Sequence, residues 1–191
     1  YSLYANTSGG TNTALGTHSL RSNMTGISNT AVGYFALYSN LVSYNTAVGY
    51  QSLRNNTSGL YNTAIGVYAL HDNISGIQNT ALGQGTLSNN MTGSYNVAVG
   101  YNSVAGGTAN FGNTSIGNGN LQGGGNYNVA VGRSILTTGT TVNYNTAVGT
   151  QALLVSVVSN QTAIGYQSLR NNTTGVYNTA VGYRSLYSNI N

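Results

Sequence analysis

Apolar and polar positions along this chain recur with one short period. The run Asn-Thr-Ala-apolar-Gly, with minor variants, begins at Asn12, Asn29, Asn45, Asn62, Asn79, Asn96, Asn113, Asn128, Asn145, Gln161 and Asn178. Successive starts are 17, 16, 17, 17, 17, 17, 15, 17, 16 and 17 residues apart. Counted in columns from the first residue of each run, column five is always Gly, from Gly16 to Gly182, and column four is always Val, Ile or Leu. Column three is Ala except at Ser115, and column nine is Leu except at Val104. Column twelve is commonly Asn (Asn23, Asn40, Asn56, Asn73, Asn90, Asn172, Asn189). In several copies it opens a turn that closes on Gly: Gly26, Gly59, Gly76, Gly93 and Gly175.

This period is too short for a pair of helices, which needs about 33 residues or more, and Gly and Asn at fixed places would break a helix in any case. Thr-Ala-Val-Gly suits a short strand, and the residues around the column-nine Leu read as a second one. Gly and Asn supply the turns between them. The pattern therefore predicts an all-β fold, a parallel β-solenoid of about 17 residues per coil, with like strands stacked about 4.8 Å apart. Around a dozen coils would make a rod roughly 55 Å long. Residues 1–191 read as a single array. Both ends fall inside a repeat, so the chain is expected to be cut from a longer repetitive one.

Strand alternation puts columns two and four on one face and columns one, three and five on the other. The larger apolar residues, at columns four and nine, are the expected core. Column three, Ala, is then expected to face a neighbour such as a second chain. A narrow coil with a second small-residue face suggests a homotrimer or self-assembling fibre. The invariant column-five Gly is expected in a turn where a Cβ is not tolerated, through positive φ or close approach of the next chain.

Stacking also accounts for the composition. Only 3% of residues are charged. A column of one charged residue would set like charges about 4.8 Å apart, whereas a column of Asn forms an amide ladder. The formal charge of +4 comes from Arg21, Arg54, Arg133, Arg170 and Arg184 against Asp72 alone. Five scattered arginines make a poor footprint for nucleic acid, so none is expected as a partner. No stretch approaches the roughly 20 apolar residues of a membrane span, and no membrane insertion is expected. The chain has no Cys, which excludes a disulfide scaffold and thiolate metal sites.

Acid–base catalysis needs titratable groups brought together. Here they are His18, His71, Asp72 and the arginines. His71 and Asp72 are adjacent, so in a strand their side chains would point oppositely. There is no second carboxylate for glycoside hydrolysis, and one Asp cannot supply a calcium cluster. The glycine-rich piece from Gly117 to Gly125 lacks the Lys and helix of a phosphate loop; it reads as a shortened turn. No catalytic, cofactor-binding or metal site is assigned, and the chain is not expected to be an enzyme. Asn6, Asn23, Asn56, Asn73, Asn90 and Asn172 stand in Asn-x-Ser/Thr, which reads as turn chemistry before glycosylation. Tyrosines recur at column six (Tyr34, Tyr50, Tyr101, Tyr166, Tyr183) and just before the motif (Tyr44, Tyr61, Tyr95, Tyr127, Tyr144, Tyr177). Their rings are expected to stack between copies and to cover the core edge; the rival reading is an aromatic strip for a sugar or receptor.

Asn-Thr-Ala-Val-Gly-Tyr-Gln-Ser-Leu, at Asn45 to Leu53, resembles the head repeats of YadA-type trimeric autotransporter adhesins. It also resembles the repeats of phage and virus tail-fibre proteins that end in an endosialidase-type chaperone. The resemblance spans the whole chain, with Gln161, Val97 and Val129 as departures and a longer repeat than the adhesin heads have. It implies a left-handed β-roll, usually trimeric, whose role is surface attachment. The expected function is a structural or adhesive segment of an extracellular fibre, on a cell surface or virion, meeting a receptor or glycan. Two alternatives are an ice-binding solenoid, with its Thr ladder at column two, and a dedicated glycan-binding module.

Overall fold

The structure is a computed structural model that describes residues 1–138 and 142–189. The strands are β1 (Thr13–Leu15), β2 (Thr30–Val32), β3 (Thr46–Val48), β4 (Thr63–Ile65), β5 (Thr80–Leu82), β6 (Val97–Tyr101), β7 (Thr114–Asn118), β8 (Val129–Arg133), β9 (Thr146–Val148), β10 (Thr162–Ile164) and β11 (Thr179–Val181). They form one 11-stranded sheet in sequence order. Every neighbouring pair is parallel and in register, column two on column two, as in Thr46 against Thr63 and Ala47 against Ala64. The chain is a β-solenoid. Ten strand-to-strand steps of about 4.8 Å give a rod roughly 48 Å long.

Among the described residues each coil holds one strand, not two. Columns six to eleven run mostly as consecutive turns. The backbone is left-handed at column seven, as at Phe35 (φ 57) and Tyr68 (φ 57), and again at the column-nine Leu, as at Leu37 (φ 51) and Leu70 (φ 50). A single coil must curve through a full circle, and an extended second run would hold it flat. A left-handed Leu costs about 1–2 kcal/mol. Complete burial of that Leu returns about 1.5–3 kcal/mol, and Leu20, Leu37, Leu53 and Leu70 are all fully buried. The ladder between coils continues through the turns: Leu37 N–H donates to the Ser52 carbonyl (3.1 Å) and Leu70 N–H to the Thr86 carbonyl (2.9 Å).

The column-nine Leu lies in the core as expected, but the inward face of the strand is the opposite of the one expected. Alternation holds, but columns one and three point inward, and columns two and four outward. Ala31, Ala47, Ala64, Ala81 and Ala98 are 0% exposed, whereas Leu82 and Ile116 at column four are each 44% exposed. Bulk decides this. A coil with one strand is narrow, and the column-nine Leu reaches across it from the turn side. The space left opposite admits a methyl or hydroxymethyl group and nothing larger at native packing density. Column three therefore faces its own coil, not a second chain. Where it is Ser115, the hydroxyl meets the Ser103 hydroxyl at 2.6 Å, so the buried oxygen is paired.

Asn at column one shares the interior and builds an unbroken ladder. Its Oδ1 accepts the backbone N–H of the next column-one residue, from Asn12 to Asn29 (2.9 Å) through Asn62 to Asn79 (3.0 Å) to Asn145 to Gln161 (2.9 Å). Its Nδ2 donates to a turn carbonyl of the next coil, as Asn62 does to Gly76 (2.8 Å). An unpaired buried amide group costs about 1–3 kcal/mol, so this double engagement is what lets a polar column lie in a dry core.

Column-five glycine is required twice over. Gly66 has φ +139, and a Cβ there would stand 2.5 Å from the carbonyl oxygen of Gly83 in the next coil. Positive φ acts as expected, and close approach acts too, but the neighbour is the chain's own next coil and not a second chain.

Candidate interaction faces

A rod of this kind presents side chains outward along three strips. The first is the outer face of the sheet, columns two and four. Thr and Val, Ile or Leu alternate here over all the strands, and neither column holds a charged residue. The second comprises columns six to eleven, the turn side. The third comprises columns thirteen to seventeen, where Met24, Leu41, Ile74 and Met91 stand exposed beside the tyrosines that precede six of the eleven motifs.

The ring stacks expected from the sequence are present. Tyr34 stacks on Tyr50 (5.4 Å, 11°) and Tyr166 on Tyr183 (5.4 Å, 17°) at column six. Tyr44 stacks on Tyr61 (5.1 Å, 4°) and Tyr127 on Tyr144 (5.3 Å, 5°) before the motif. These rings do not cover the core edge. They stand outward, Tyr144 being 60% exposed, because Ala and Asn already close the interior.

All the residues weighed as candidate chemistry lie on the turn side. Arg21, Arg54 and Arg170 occupy column ten, Arg133 column six and Arg184 column seven; His18 is at column seven, His71 at column ten and Asp72 at column eleven. Column ten alternates cation and ring in the first coils, Arg21, Tyr38, Arg54, and in the last two, Arg170 and Tyr187. Arg21 lies 5.6 Å from both the Tyr4 and Tyr38 rings, and Arg54 lies 5.2 Å from Phe35 and 6.0 Å from Tyr38. Tyr38 thus separates two arginines that would otherwise approach directly, and each contact is attractive. At the other end Tyr187 is shared by Arg184 (4.4 Å) and Arg170 (5.7 Å). The Arg184 guanidinium, hydrogen-bonded to it, holds the Tyr187 phenol below its ordinary value.

His71 and Asp72 do not point oppositely. They sit on a turn, and His71 Nδ1 lies 2.7 Å from Asp72 Oδ1. Asn55 Nδ2 also donates to that oxygen (3.0 Å). They line a cleft of about 350 Å³ with Tyr68, Gln84, Gly85 and Ser88. The cleft opens because column seven is Gly85 where the preceding coil has Tyr68. Partial desolvation, then a hydrogen bond with Tyr50, push the Tyr68 phenol above its ordinary value. Although Ser88, His71 and Asp72 share the cleft, His71 Nε2 faces Gln51 Oε1 at 3.1 Å. The imidazole is therefore turned toward the previous coil, and no hydroxyl is poised as a nucleophile on it. Among the described residues no group of three or more His, Asp or Glu could hold a metal, and no helix is long and apolar enough to cross a membrane.

The Asn-x-Ser/Thr sites are turn residues. Asn23, Asn56, Asn73, Asn90 and Asn172 are fully buried, with Nδ2 donating to the glycine that closes the turn, as in Asn56 to Gly59 (2.9 Å). Glycan attachment needs that nitrogen free and exposed. What sequence reading missed is that charge is segregated by face. The signal was present in the column numbers of the five arginines, which all fall between six and ten.

Fold and faces together define a β-solenoid repeat protein. No protein family, curated protein or solved structure compared with the chain matches it.

Proposed function

We propose that this chain is a structural and adhesive segment of an extracellular fibre, built as a homotrimer and serving attachment. The observation that carries the reading is the outer face of the sheet. It is an uncharged ridge of Val, Ile and Leu flanked by Thr, continuous over all eleven strands. A strip roughly 48 Å long exceeds the scattered apolar exposure of an ordinary monomer. Its partner must match a period of one coil without offering charge, and a second copy of this chain does both. Copies meeting along this ridge close either as two or around a central axis as three, and the resemblance to trimeric adhesin heads selects three. The resemblance of Asn45 to Leu53 to adhesin and tail-fibre repeats supports the same reading, as does the shortage of groups for catalysis.

Sedimentation equilibrium tests it, with a mass of three chains expected. A mass of one chain in a well-folded sample removes the trimer. Leu82→Lys with Ile116→Lys, on outward positions, should lower the mass while leaving the circular dichroism of the coil intact. The outward Thr column also fits an ice-binding face. Its ranks alternate with Val, Ile and Leu, and Val97 and Val129 interrupt it. No thermal hysteresis is expected, and a clear hysteresis gap would put this reading first.

A further inference from the structure

We infer that the turn side of the rod is a binding strip for an acidic polysaccharide, a chain of sugar rings carrying carboxylate or sulfate groups at wide spacing. The inference rests on the attachment reading and names the chemistry of what is attached to. It starts from segregation: every arginine, both histidines and the single Asp lie in columns six to eleven, and no charged residue lies on the other two strips. The whole net charge of +4 therefore acts from one side.

Charge density selects the polymer. The five arginines average one cation per about 10 Å over roughly 48 Å. They stand in two groups five coils apart: Arg21 and Arg54, two coils from each other, and Arg133, Arg170 and Arg184, spaced by two coils and one coil. Duplex DNA carries a charge per about 1.7 Å of its axis, several times too dense for this strip to neutralise. A glycan with an acid group on alternate sugars has the matching spacing. Its neutral rings need apolar surfaces between the charges, and between Arg21 and Arg54 these are supplied by Tyr34 stacked on Tyr50 and by Phe35 and Tyr38. One pyranose ring is about as long as a coil is high, about 4.8 Å, so successive sugars would meet successive rings.

The arginines are also held in place. Arg21 donates through Nη1 to the Tyr38 hydroxyl (2.6 Å), and Arg170 does so to the Tyr187 hydroxyl (3.3 Å) and to Asn171 Oδ1 (3.1 Å). A guanidinium clamped between rings has already lost most of its rotamer freedom, so less is lost on binding. Its planar fork suits carboxylate or sulfate better than an ammonium would. Arg133 and Arg184 are exposed and extend the strip toward the C-terminal coils.

The test is binding of the 191-residue protein to immobilised chondroitin sulfate, polygalacturonate, neutral dextran and duplex DNA, at low and physiological ionic strength. Binding to one or both acidic glycans is expected at least about tenfold tighter than to dextran, weakening as salt screens the contacts. The two acidic arms separate sulfate from carboxylate as the recognised group. Replacing all five arginines by Gln should abolish the difference from dextran. If that variant folds poorly, Arg133→Gln with Arg184→Gln, both on exposed positions, should still weaken binding several-fold, and Tyr38→Ala should weaken it without changing net charge. Equal binding to dextran, unchanged binding of the five-arginine variant, or tighter binding to DNA would each overturn the proposal. A trimer that ignores acidic glycans sinks this inference alone, whereas a monomer that binds them sinks the fibre reading alone.

Discussion

The N-terminal coils and the central ones solve the same problem differently. In coils β2 to β4, the strand stops at column four and the column-five carbonyl closes a turn. Ala36 N–H donates to Gly33, Ser52 N–H to Gly49 and Ala69 N–H to Gly66, at 3.3 to 3.4 Å. In β6, β7 and β8 the strand continues through that glycine for five residues, pairing Gly100 with Gly117 and Gly117 with Gly132. There the column-five carbonyl is aimed at the preceding coil's glycine, and a Cβ on Gly83, Gly100 or Gly117 would collide with it more closely than at the other column-five glycines. The central coils also dispense with the column-twelve Asn. In the coil of β6 an interior Asn110 takes over, donating to the Gly106 and Gly107 carbonyls (2.8 and 3.0 Å). The comparison separates what the fold demands from what it tolerates. Column-one amide, column-three Ala (Ser at Ser115), column-five Gly and column-nine Leu (Val at Val104) persist in both regions, and the turn chemistry is exchangeable.

The largest effect should come from glycine. Gly117→Val in the central ladder meets both a carbonyl and a φ of +132, while Gly182→Val meets only the φ of +125, since nothing lies within 4 Å of its Cβ. Strain alone costs on the order of 1–3 kcal/mol, and the collision should raise Gly117→Val well above that. Gly66→Val, in a turn-closing coil, should fall between them, and above a change at half-buried His71 in the same coil. Hydrogen exchange should show protection lost in the altered coil and its two neighbours, because solenoid stability is shared between adjacent coils. If Gly182→Val proves as damaging as Gly117→Val, close approach contributes nothing.

A smaller contrast lies between the two asparagine columns. Asn62→Ala deletes the acceptor of Asn79 N–H (3.0 Å) and the donor to Gly76 (2.8 Å) in an unbroken ladder. Orphaned buried groups of this kind cost about 1–3 kcal/mol each. The column-twelve ladder is already broken: Asn73 donates to Asn56 (2.8 Å) and to Gly76 (3.0 Å), but its own Oδ1 is buried without a partner. Asn73→Ala should therefore cost about half as much in urea denaturation. Equal costs would mean that the continuity of the column-one ladder adds nothing.

Most of the fold was legible because stacking forces each column to repeat its environment. Period, parallel pairing, glycine and the Asn ladder could all be read from identical residues at fixed spacing. The side of the sheet that faces inward could not. Hydrophobicity ranked Val, Ile and Leu above Ala, and only the missing second strand, which narrows the coil, reverses that order. The contact of His71 with Asp72 was hidden for the same reason, since a strand rule was applied to a turn. Charge segregation was readable but needs the coil's curvature to become a face.

The smallest expected effect tests the one departure in the ladder. Gln161 replaces Asn at column one, and its longer side chain bends the amide back to its own coil. Nε2 donates to the Ser159 carbonyl (2.8 Å), and Oε1 accepts Asn178 N–H at 3.3 Å, longer than the 2.9 Å between Asn45 and Asn62. The 16-residue interval before Gln161 does not demand Gln, because the interval from Asn29 to Asn45 has the same length and ends in Asn. That Asn45 donates to the Gly59 carbonyl of the next coil at 2.8 Å, and Gly175 occupies the corresponding place beyond Gln161. Gln161→Asn should shorten the contact to Asn178 and add the bond to Gly175, while giving up the donation from Asn172 Nδ2 (3.1 Å). The bond gained offsets the one given up, so the urea midpoint should move by less than one net hydrogen bond, about 0.5–1.5 kcal/mol. A larger loss of stability would mean that the C-terminal coils have adapted around Gln, and that column one is less uniform in its requirements than the other ten residues imply.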